Sequence, residues 1–82
     1  MKALEHYKKH NIQWAVDILS DNSLNVTLRR RIVNSLIIYI RLTDETNHMS
    51  IQTLVKECID LEDFSNLRNV GDKTITYLSQ FK

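Results

Sequence analysis

The sequence predicts an all-α protein, a compact bundle of about five short helices. Apolar residues recur at spacings of three and four in most segments, as they do along one face of a helix. The one run that could form a strand, Ile37 to Ile40, has no second run to pair with. The remaining stretches are polar and typical of loops, so every segment is assigned to helix or loop.

The composition is that of one small globular domain spanning residues 1–82. The chain is 43% hydrophobic and 26% charged, which excludes a disordered or fibrous class. Eleven basic and ten acidic residues leave a net charge of +1. A protein that binds nucleic acid without discrimination usually has a strong positive field. Any such activity in this chain must therefore come from local clustering of charge.

The first 25 residues are predicted to form a helical extension before the main part of the domain. Residues 2–20 are rich in helix formers, but the pair His10 and Asn11 interrupts the apolar spacing. One helix and two short helices are both compatible with this stretch. The Asp-Asn-Ser sequence at residues 21–23 is typical of a turn. We expect the extension to cover one face of the domain or to mediate dimerisation.

The clearest helix spans about residues 27–41. Its apolar residues recur at helical spacing: Leu28, Ile32, Val33, Leu36, Ile37 and Ile40. Asn25 or Thr27 can cap its N-terminus, because either side chain can accept a hydrogen bond from a first-turn amide. Since β-branched residues have low helix propensity, burial in the tertiary structure must stabilise this helix.

Three more segments follow the central helix. The polar stretch 43–48 is predicted as a loop. Ser50 is the expected N-cap of a helix that runs to about Cys58, and Asp60 is the expected N-cap of a short helix after it.

The last predicted helix begins at Gly71 or Asp72. It carries apolar residues on its inward face: Ile75, Leu78 and Phe81. Because no capping residue ends this apolar pattern before Lys82, we expect the helix to continue to that residue and beyond it.

The reactive side chains give no sign of enzymatic chemistry. Cys58 lies in an apolar pattern and is predicted to be a buried structural thiol, as expected in a reducing cytoplasm. His6, His10 and His48 are predicted surface residues that form neither a nucleophile–base pair nor a metal-ligand spacing with Cys58. We therefore expect a non-enzymatic, cytoplasmic protein without cofactor, metal or membrane span.

The stretch Leu67–Ile75 contains the only glycine of the chain. Glycine is favoured where the backbone adopts a positive φ or approaches a ligand closely, so we expect one of these at Gly71. A tight hairpin between two short helices would turn the first amides of the second helix outward, where they favour a phosphate. Lys73 and Thr74 would add a charge and a hydroxyl donor. An ordinary turn between helices, with Gly71 at a cap, is equally compatible.

Three arginines lie at the start of the central helix, where positive charge opposes the helix dipole: Arg29, Arg30 and Arg31. Local stability does not explain them. Arg31 and Asn34 lie one turn apart on one face, where they can contact phosphate or base edges. The alternative is a solvated charged face whose arginines pair with acidic residues: Asp17, Asp21 or Asp44.

Taken together, these two patterns make the chain resemble the C-terminal domain of the bacterial RNA polymerase α subunit. That family is a SAM-like helical module with a helix-hairpin-helix DNA-binding element. Its first core helix opens with Leu-x-x-Arg-x-x-Asn-x-Leu, matched here by Leu28, Arg31, Asn34 and Leu36. Its hairpin has the pattern Leu-x-x-h-Gly-x-Lys-Ser/Thr, matched here by Leu67, Val70, Gly71, Lys73 and Thr74. The resemblance covers about residues 26–82.

The resemblance implies a DNA-binding, transcription-associated module. The family's DNA-contacting positions fall on the central helix and the hairpin of this chain: Arg31, Asn34, Ser35, Gly71, Lys73 and Thr74. In that family the two regions lie side by side and enter the minor groove of A·T-rich DNA. The implied partners are double-stranded DNA and RNA polymerase or a transcription regulator.

Several departures favour an alternative function, a protein–protein interaction module that keeps the fold without DNA binding. Asp72 stands where the family often has a basic residue, and a family acidic contact falls on Tyr77. The connection before Met49 is also longer than the family's. Tyr7 and Trp14, if exposed, could contribute an aromatic contact surface for a protein partner.

Overall fold

The computed structural model describes residues 2–82, and all of its regular structure is helical. Seven helices follow one another: α1 (Lys2–Lys9), α2 (Gln13–Leu19), α3 (Val26–Tyr39), α4 (Asp44–Asn47), α5 (Ile51–Cys58), α6 (Leu61–Ser65) and α7 (Asp72–Ser79). No strand forms within residues 2–82, so the all-α prediction is confirmed. Two more helices form than the five expected, because the N-terminal stretch divides and α4 forms in a segment predicted as a loop.

The turn between α1 and α2 is made at Asn11. Its φ is 56°, in the left-handed region that Asn tolerates better than most residues. The Ile12 amide donates to the Tyr7 carbonyl oxygen at 3.0 Å and closes the turn. Of the two arrangements compatible with the sequence, the structure has two short helices.

Three of the predicted N-caps are confirmed. The Asn25 side chain accepts from the Leu28 amide at 2.8 Å, so Asn25 rather than Thr27 caps α3. Ser50 accepts from the Thr53 amide at 3.2 Å in α5. Asp60 accepts from two first-turn amides of α6, at 3.0 and 3.3 Å. Each cap satisfies amides that have no partner within their own helix.

The prediction of a loop at residues 43–48 is wrong. A capping box starts α4: the Thr43 hydroxyl accepts from the Thr46 amide, and the Thr46 hydroxyl accepts from the Thr43 amide. The four residues of α4 include no buried side chain. A helix without an apolar face leaves no periodic signal in the sequence, which is why the pattern failed here.

The hydrophobic core is centred on α2. Trp14, Ala15 and Ile18 are fully buried there, and α2 packs against α1, α3 and α5. The prediction that Trp14 could be exposed is therefore wrong. Its indole Nε1 is buried without a hydrogen-bond partner. Residues from the N-terminal extension thus share one core with Leu36 of α3 and Leu78 of α7.

Two tyrosines connect distant elements. The Tyr77 hydroxyl of α7 donates to the Asp21 carboxylate at 3.0 Å, which ties α7 to the turn between α2 and α3. The Tyr39 hydroxyl of α3 donates to Asp63 of α6 at 3.1 Å. The Tyr39 ring also packs edge-on against Phe64, with centroids 5.1 Å apart. These contacts fix α3 relative to both α6 and α7.

The C-terminal helix is shorter than expected. It ends at Ser79 and is followed by a C-cap at Gln80, so the prediction that it continues to Lys82 is wrong. The Lys82 ammonium group donates to the Ile59 carbonyl oxygen at 2.6 Å. None of the helices within residues 2–82 is long and apolar enough to cross a membrane.

Candidate nucleic-acid interface

A groove of about 470 Å³ lies between α3 and the connection from α6 to α7. One wall is α3, with Arg31, Asn34, Ser35 and Ile38. The other wall is the connection, with Arg68, Asn69, Val70 and Gly71. We call this space the α3 groove. The fold therefore brings four of the six predicted site residues together and adds a second arginine.

The α3 wall follows from helix geometry. Residues three, four and seven positions apart lie on one face of a helix, which places Asn34, Ser35 and Ile38 in line with Arg31. Arg31 and Asn34 are exposed, whereas Ser35 is 5% exposed and lies at the base of that face. Arg31 and Asn34 are thus available to a ligand in the groove.

The opposite wall is a short connection held by backbone hydrogen bonds. The Leu67 amide donates to the Phe64 carbonyl oxygen at 3.1 Å, and the Val70 amide donates to the Leu67 carbonyl oxygen at 3.2 Å. Arg68 and Asn69 are exposed between these anchors. Sequence reasoning missed Arg68 because it occupies an unspecified position of the hairpin pattern. Its positive charge, next to the glycine turn, was the available signal.

Gly71 lies at a helix cap, as one of the two interpretations of the sequence predicts. Its φ of −105° and ψ of 177° are extended, so the prediction of a positive φ is wrong. A Cβ built at Gly71 would meet no atom within 4 Å. No other part of the protein therefore packs so closely against Gly71 that only glycine would fit. Gly71 is the N-cap of α7 and provides no side-chain hydrogen bond to the first turn. The positive end of the α7 dipole therefore opens at the groove without a side-chain cap.

The other two predicted hairpin contacts do not join the α3 groove. Thr74 is 3% exposed and faces the core four residues before Leu78, so the prediction of an accessible hydroxyl is wrong. Lys73 is exposed but lines a second groove, together with Asp72 and Tyr77. Successive residues of a helix are rotated by 100°, so adjacent positions of α7 face different surroundings.

The three consecutive arginines also have separate surroundings. Arg29 donates from Nε to the Leu24 carbonyl oxygen at 2.9 Å and from Nη1 to the Leu19 carbonyl oxygen at 3.2 Å. It thereby supplies one donor to the C-terminal end of α2 and one to the turn before α3, so local stability does explain this arginine, contrary to expectation. Arg30 lines a third groove beside Tyr7, and Arg31 lines the α3 groove.

Two acidic residues considered as arginine partners form their hydrogen bonds with other residues, although the charge of Arg29 also acts on Asp21. Asp17 accepts from the Gln13 side chain at 2.7 Å and from the Ile51 amide at 3.0 Å. Asp21 accepts from Ser23 and from the Tyr77 hydroxyl. Hydrogen bonds from Ser23 and Tyr77, and the positive charge of Arg29, hold the pKa of Asp21 below its ordinary value.

The arginines of the α3 groove remain available to a ligand. No acidic side chain among residues 2–82 lines this groove. In the same part of the chain, no hydrogen bond to another residue involves the side chain of Arg31, Asn34, Arg68 or Asn69. In contrast, the Arg29 guanidinium is occupied by two carbonyl oxygens. The α3 groove is thus cationic, with no acidic side chain in its lining among residues 2–82.

The remaining reactive side chains lie outside the α3 groove. Cys58 is half-buried against the core, and its thiol lies 3.8 Å from the Met49 sulfur. Burial raises the pKa of the Cys58 thiol, and the charges of Glu57 and Glu45 add to this effect. Over residues 2–82, no three side chains of His, Cys, Asp or Glu are grouped as metal ligands would be.

No family model, curated protein or solved structure matches this chain. The geometry by itself defines a compact all-helical protein with a cationic groove.

Proposed function

We propose that this protein is a non-enzymatic DNA-binding module that contacts duplex DNA through the α3 groove. One observation carries the proposal. The α3 groove contains Arg31 and Asn34 from one sequence pattern and Gly71 from the other. It also contains Arg68, and no acidic side chain among residues 2–82 lines it. This arrangement supports the resemblance of residues 26–82 to the polymerase α C-terminal domain, which is likewise part of the proposal.

Each residue has a distinct task in the proposed complex. Arg31 enters the minor groove, where a narrow A·T-rich sequence concentrates negative potential and attracts arginine. Asn34 and Ser35 support it by hydrogen bonding to base or sugar edges. Arg68 contacts a phosphate from the opposite wall. The uncapped N-terminus of α7 at Gly71 favours a second phosphate.

The expected affinity is modest and depends on salt. A net charge of +1 provides little long-range attraction. Arg31 in the minor groove and Arg68 at a phosphate each neutralise about one phosphate charge, which corresponds to a slope of about −2 in a plot of log affinity against log salt concentration. Asp72, beside Lys73 in the second groove, further reduces the local positive potential. Binding should therefore be measurable at low salt and roughly an order of magnitude weaker at about 200 mM salt than at about 50 mM.

The first prediction concerns the two groove arginines. Titration of short labelled A·T-rich and G·C-rich duplexes, followed by fluorescence anisotropy at about 50 and 200 mM salt, measures both affinity and its salt dependence. Arg31→Ala and Arg68→Ala should each weaken binding and reduce the magnitude of the salt slope by about 1. The wild-type protein should favour the A·T-rich duplex.

Arg30→Ala is the matched control. It removes the same charge from the adjacent position of α3, but Arg30 lies outside the α3 groove. It should reduce affinity less than Arg31→Ala. An equal loss in all three variants would show a general charge effect rather than a defined site. The absence of duplex binding by the wild-type protein at low salt would contradict the proposal.

The alternative, a protein-interaction module, is favoured by the second groove. This space of about 490 Å³ beside α7 has Lys73 and Asp72 of opposite charge together with the apolar, half-buried Leu24. Mixed charge next to apolar surface suits a protein partner better than a polyanion. Recovery of RNA polymerase or a regulator from nuclease-treated lysate, combined with no duplex binding, would favour this alternative. Loss of that recovery in Lys73→Glu would assign it to the second groove.

A further inference from the structure

We infer that Ile38 is an apolar contact to the DNA minor groove that adds affinity and A·T preference without adding salt dependence. The inference rests on the proposed function and assigns a role to a residue outside both sequence patterns. Ile38 is 70% exposed, compared with 47% for Val26 and 44% for Leu42, the two other exposed large hydrophobic residues of residues 2–82.

The fold gives Ile38 no packing role that would explain its side chain. The inward face of α3 is formed by Ile32, Val33 and Leu36, which are at most 2% exposed. Ile38 lies outside that face and lines the α3 groove instead. A single exposed isoleucine is ordinary on a protein surface. The position of Ile38 in a groove with two arginines is what points to a ligand.

The α3 groove is amphipathic on both walls. On α3, Ile38 lies two helical turns from Arg31, and on the connection the half-buried Val70 follows Arg68 and Asn69. Each wall therefore combines a guanidinium with an apolar side chain. A DNA minor groove has the complementary composition, because phosphates border walls formed by the carbon-rich edges of the sugars. Proteins that enter the minor groove also use apolar side chains there, inserted between base steps.

A contact of this kind also discriminates between base pairs. The floor of the minor groove has only acceptors at A·T pairs, but the guanine amino group projects from it at G·C pairs. An isoleucine pressed against the floor removes acceptors from water at either pair, but at G·C pairs it also buries the projecting amino group without providing an acceptor, which adds to the cost. Ile38 should therefore favour A·T pairs, while the arginines contribute most of the salt-dependent affinity.

The test compares Ile38→Ala with Arg31→Ala on the same A·T-rich and G·C-rich duplexes. Ile38→Ala should weaken binding to the A·T-rich duplex about five- to tenfold, since most of an isoleucine's apolar area is lost. Its salt slope should equal that of the wild-type protein, and its A·T to G·C affinity ratio should fall. Arg31→Ala should instead change the salt slope. The melting temperature of Ile38→Ala should remain that of the wild type, because the side chain is exposed.

Leu42→Ala is the control for exposed apolar surface in general. Leu42 is 44% exposed but does not line the α3 groove, so its removal should leave affinity, slope and ratio unchanged. If Ile38→Ala binds like the wild type while Arg31→Ala does not, the role of Ile38 is wrong and the proposed function stands. If the wild-type protein binds no duplex at low salt, both are wrong.

Discussion

Asp21 joins two parts of the molecule, the turn before α3 and helix α7, through one carboxylate. It accepts hydrogen bonds from the Ser23 hydroxyl at 2.7 Å and the Ser23 amide at 3.0 Å, which shape the turn before α3. It also accepts from the Tyr77 hydroxyl of α7 at 3.0 Å. Burial raises the pKa of the Tyr77 phenol, and the Asp21 carboxylate raises it further. This pair therefore favours an ionised Asp21 and a neutral Tyr77.

Stability should depend on the ionisation of Asp21. The pKa of Asp21 in the folded protein lies below its ordinary value of 3.8. The stabilising contribution is therefore complete above that value and is lost as the pH falls through the lower, folded-state pKa. Asp21→Asn should lower the free energy of unfolding by about 1 kcal/mol near neutral pH. The difference from the wild type should shrink below a pH of about 4.

Urea denaturation over a series of pH values measures this effect. Glu57→Gln is a control that removes an exposed carboxylate from α5. It should not reproduce the neutral-pH loss of Asp21→Asn. A difference between Asp21→Asn and wild type that stays constant down to a pH of about 2 would show that the amide variant acts through packing rather than charge.

At the scale of a helix, α7 differs from its capped neighbours. The side chains of Asn25, Ser50 and Asp60 accept hydrogen bonds from first-turn amides of α3, α5 and α6, respectively. Gly71 has no side chain with which to do the same for α7. Residues with a side chain would fit at this position, because the backbone is extended and no atom lies within 4 Å of an added Cβ. The first turn of α7 is thus left available to a ligand at some cost in helix stability.

Substitutions that introduce an N-cap at α7 should change the stability of the protein and its binding to DNA in different ways. Gly71→Ser and Gly71→Asp both introduce a preferred N-cap and reduce the freedom of the unfolded chain, so each should raise the free energy of unfolding by about 0.5 kcal/mol. Only Gly71→Asp also brings a negative charge to the α3 groove, so it should abolish duplex binding at low salt. Urea denaturation and anisotropy measure the two effects. Undiminished binding by Gly71→Asp would place the phosphate away from α7.

Helix boundaries show which elements the sequence can reveal. The predicted central helix, about residues 27–41, agrees with α3 (Val26–Tyr39) to within two residues because one face is apolar throughout. The predicted caps at Ser50 and Asp60 are correct because a cap depends only on atoms within one turn. The four-residue α4 was missed because its sequence has no apolar face to mark it.

At the scale of the whole molecule, α2 occupies the middle of the core. Trp14 and Ile18 are fully buried, and the helix packs against three others. A small domain buries only about 60–65% of the surface that its unfolded chain exposes, so the loss of a central helix would remove a large part of the core. The N-terminal extension predicted from the sequence is therefore part of the structural framework that supports α3 and its groove.

Deletion of residues 2–20 should prevent cooperative folding. It removes the α2 residues around which α3 and α5 pack, including the largest buried side chain, Trp14. Deletion of residues 2–9 alone should only destabilise the protein, because Leu4 and Tyr7 of α1 are partly buried. Thermal unfolding followed by circular dichroism distinguishes the two. A cooperative transition at the wild-type temperature for residues 21–82 would contradict the central role of α2.

The sequence by itself determined the all-α class, the caps and the shared face of Arg31 and Asn34. These features depend on helical periodicity and on contacts within a few residues. Only the tertiary structure decided that Arg68 joins Arg31, that Arg29 serves α2, that Trp14 is buried and that Lys73 and Thr74 leave the groove. The reason is that packing fixes the rotation of each helix, and a rotation of 100° per residue separates adjacent side chains. Whether residues far apart in the chain lie together in the structure therefore depends on tertiary contacts, which a local sequence pattern does not contain.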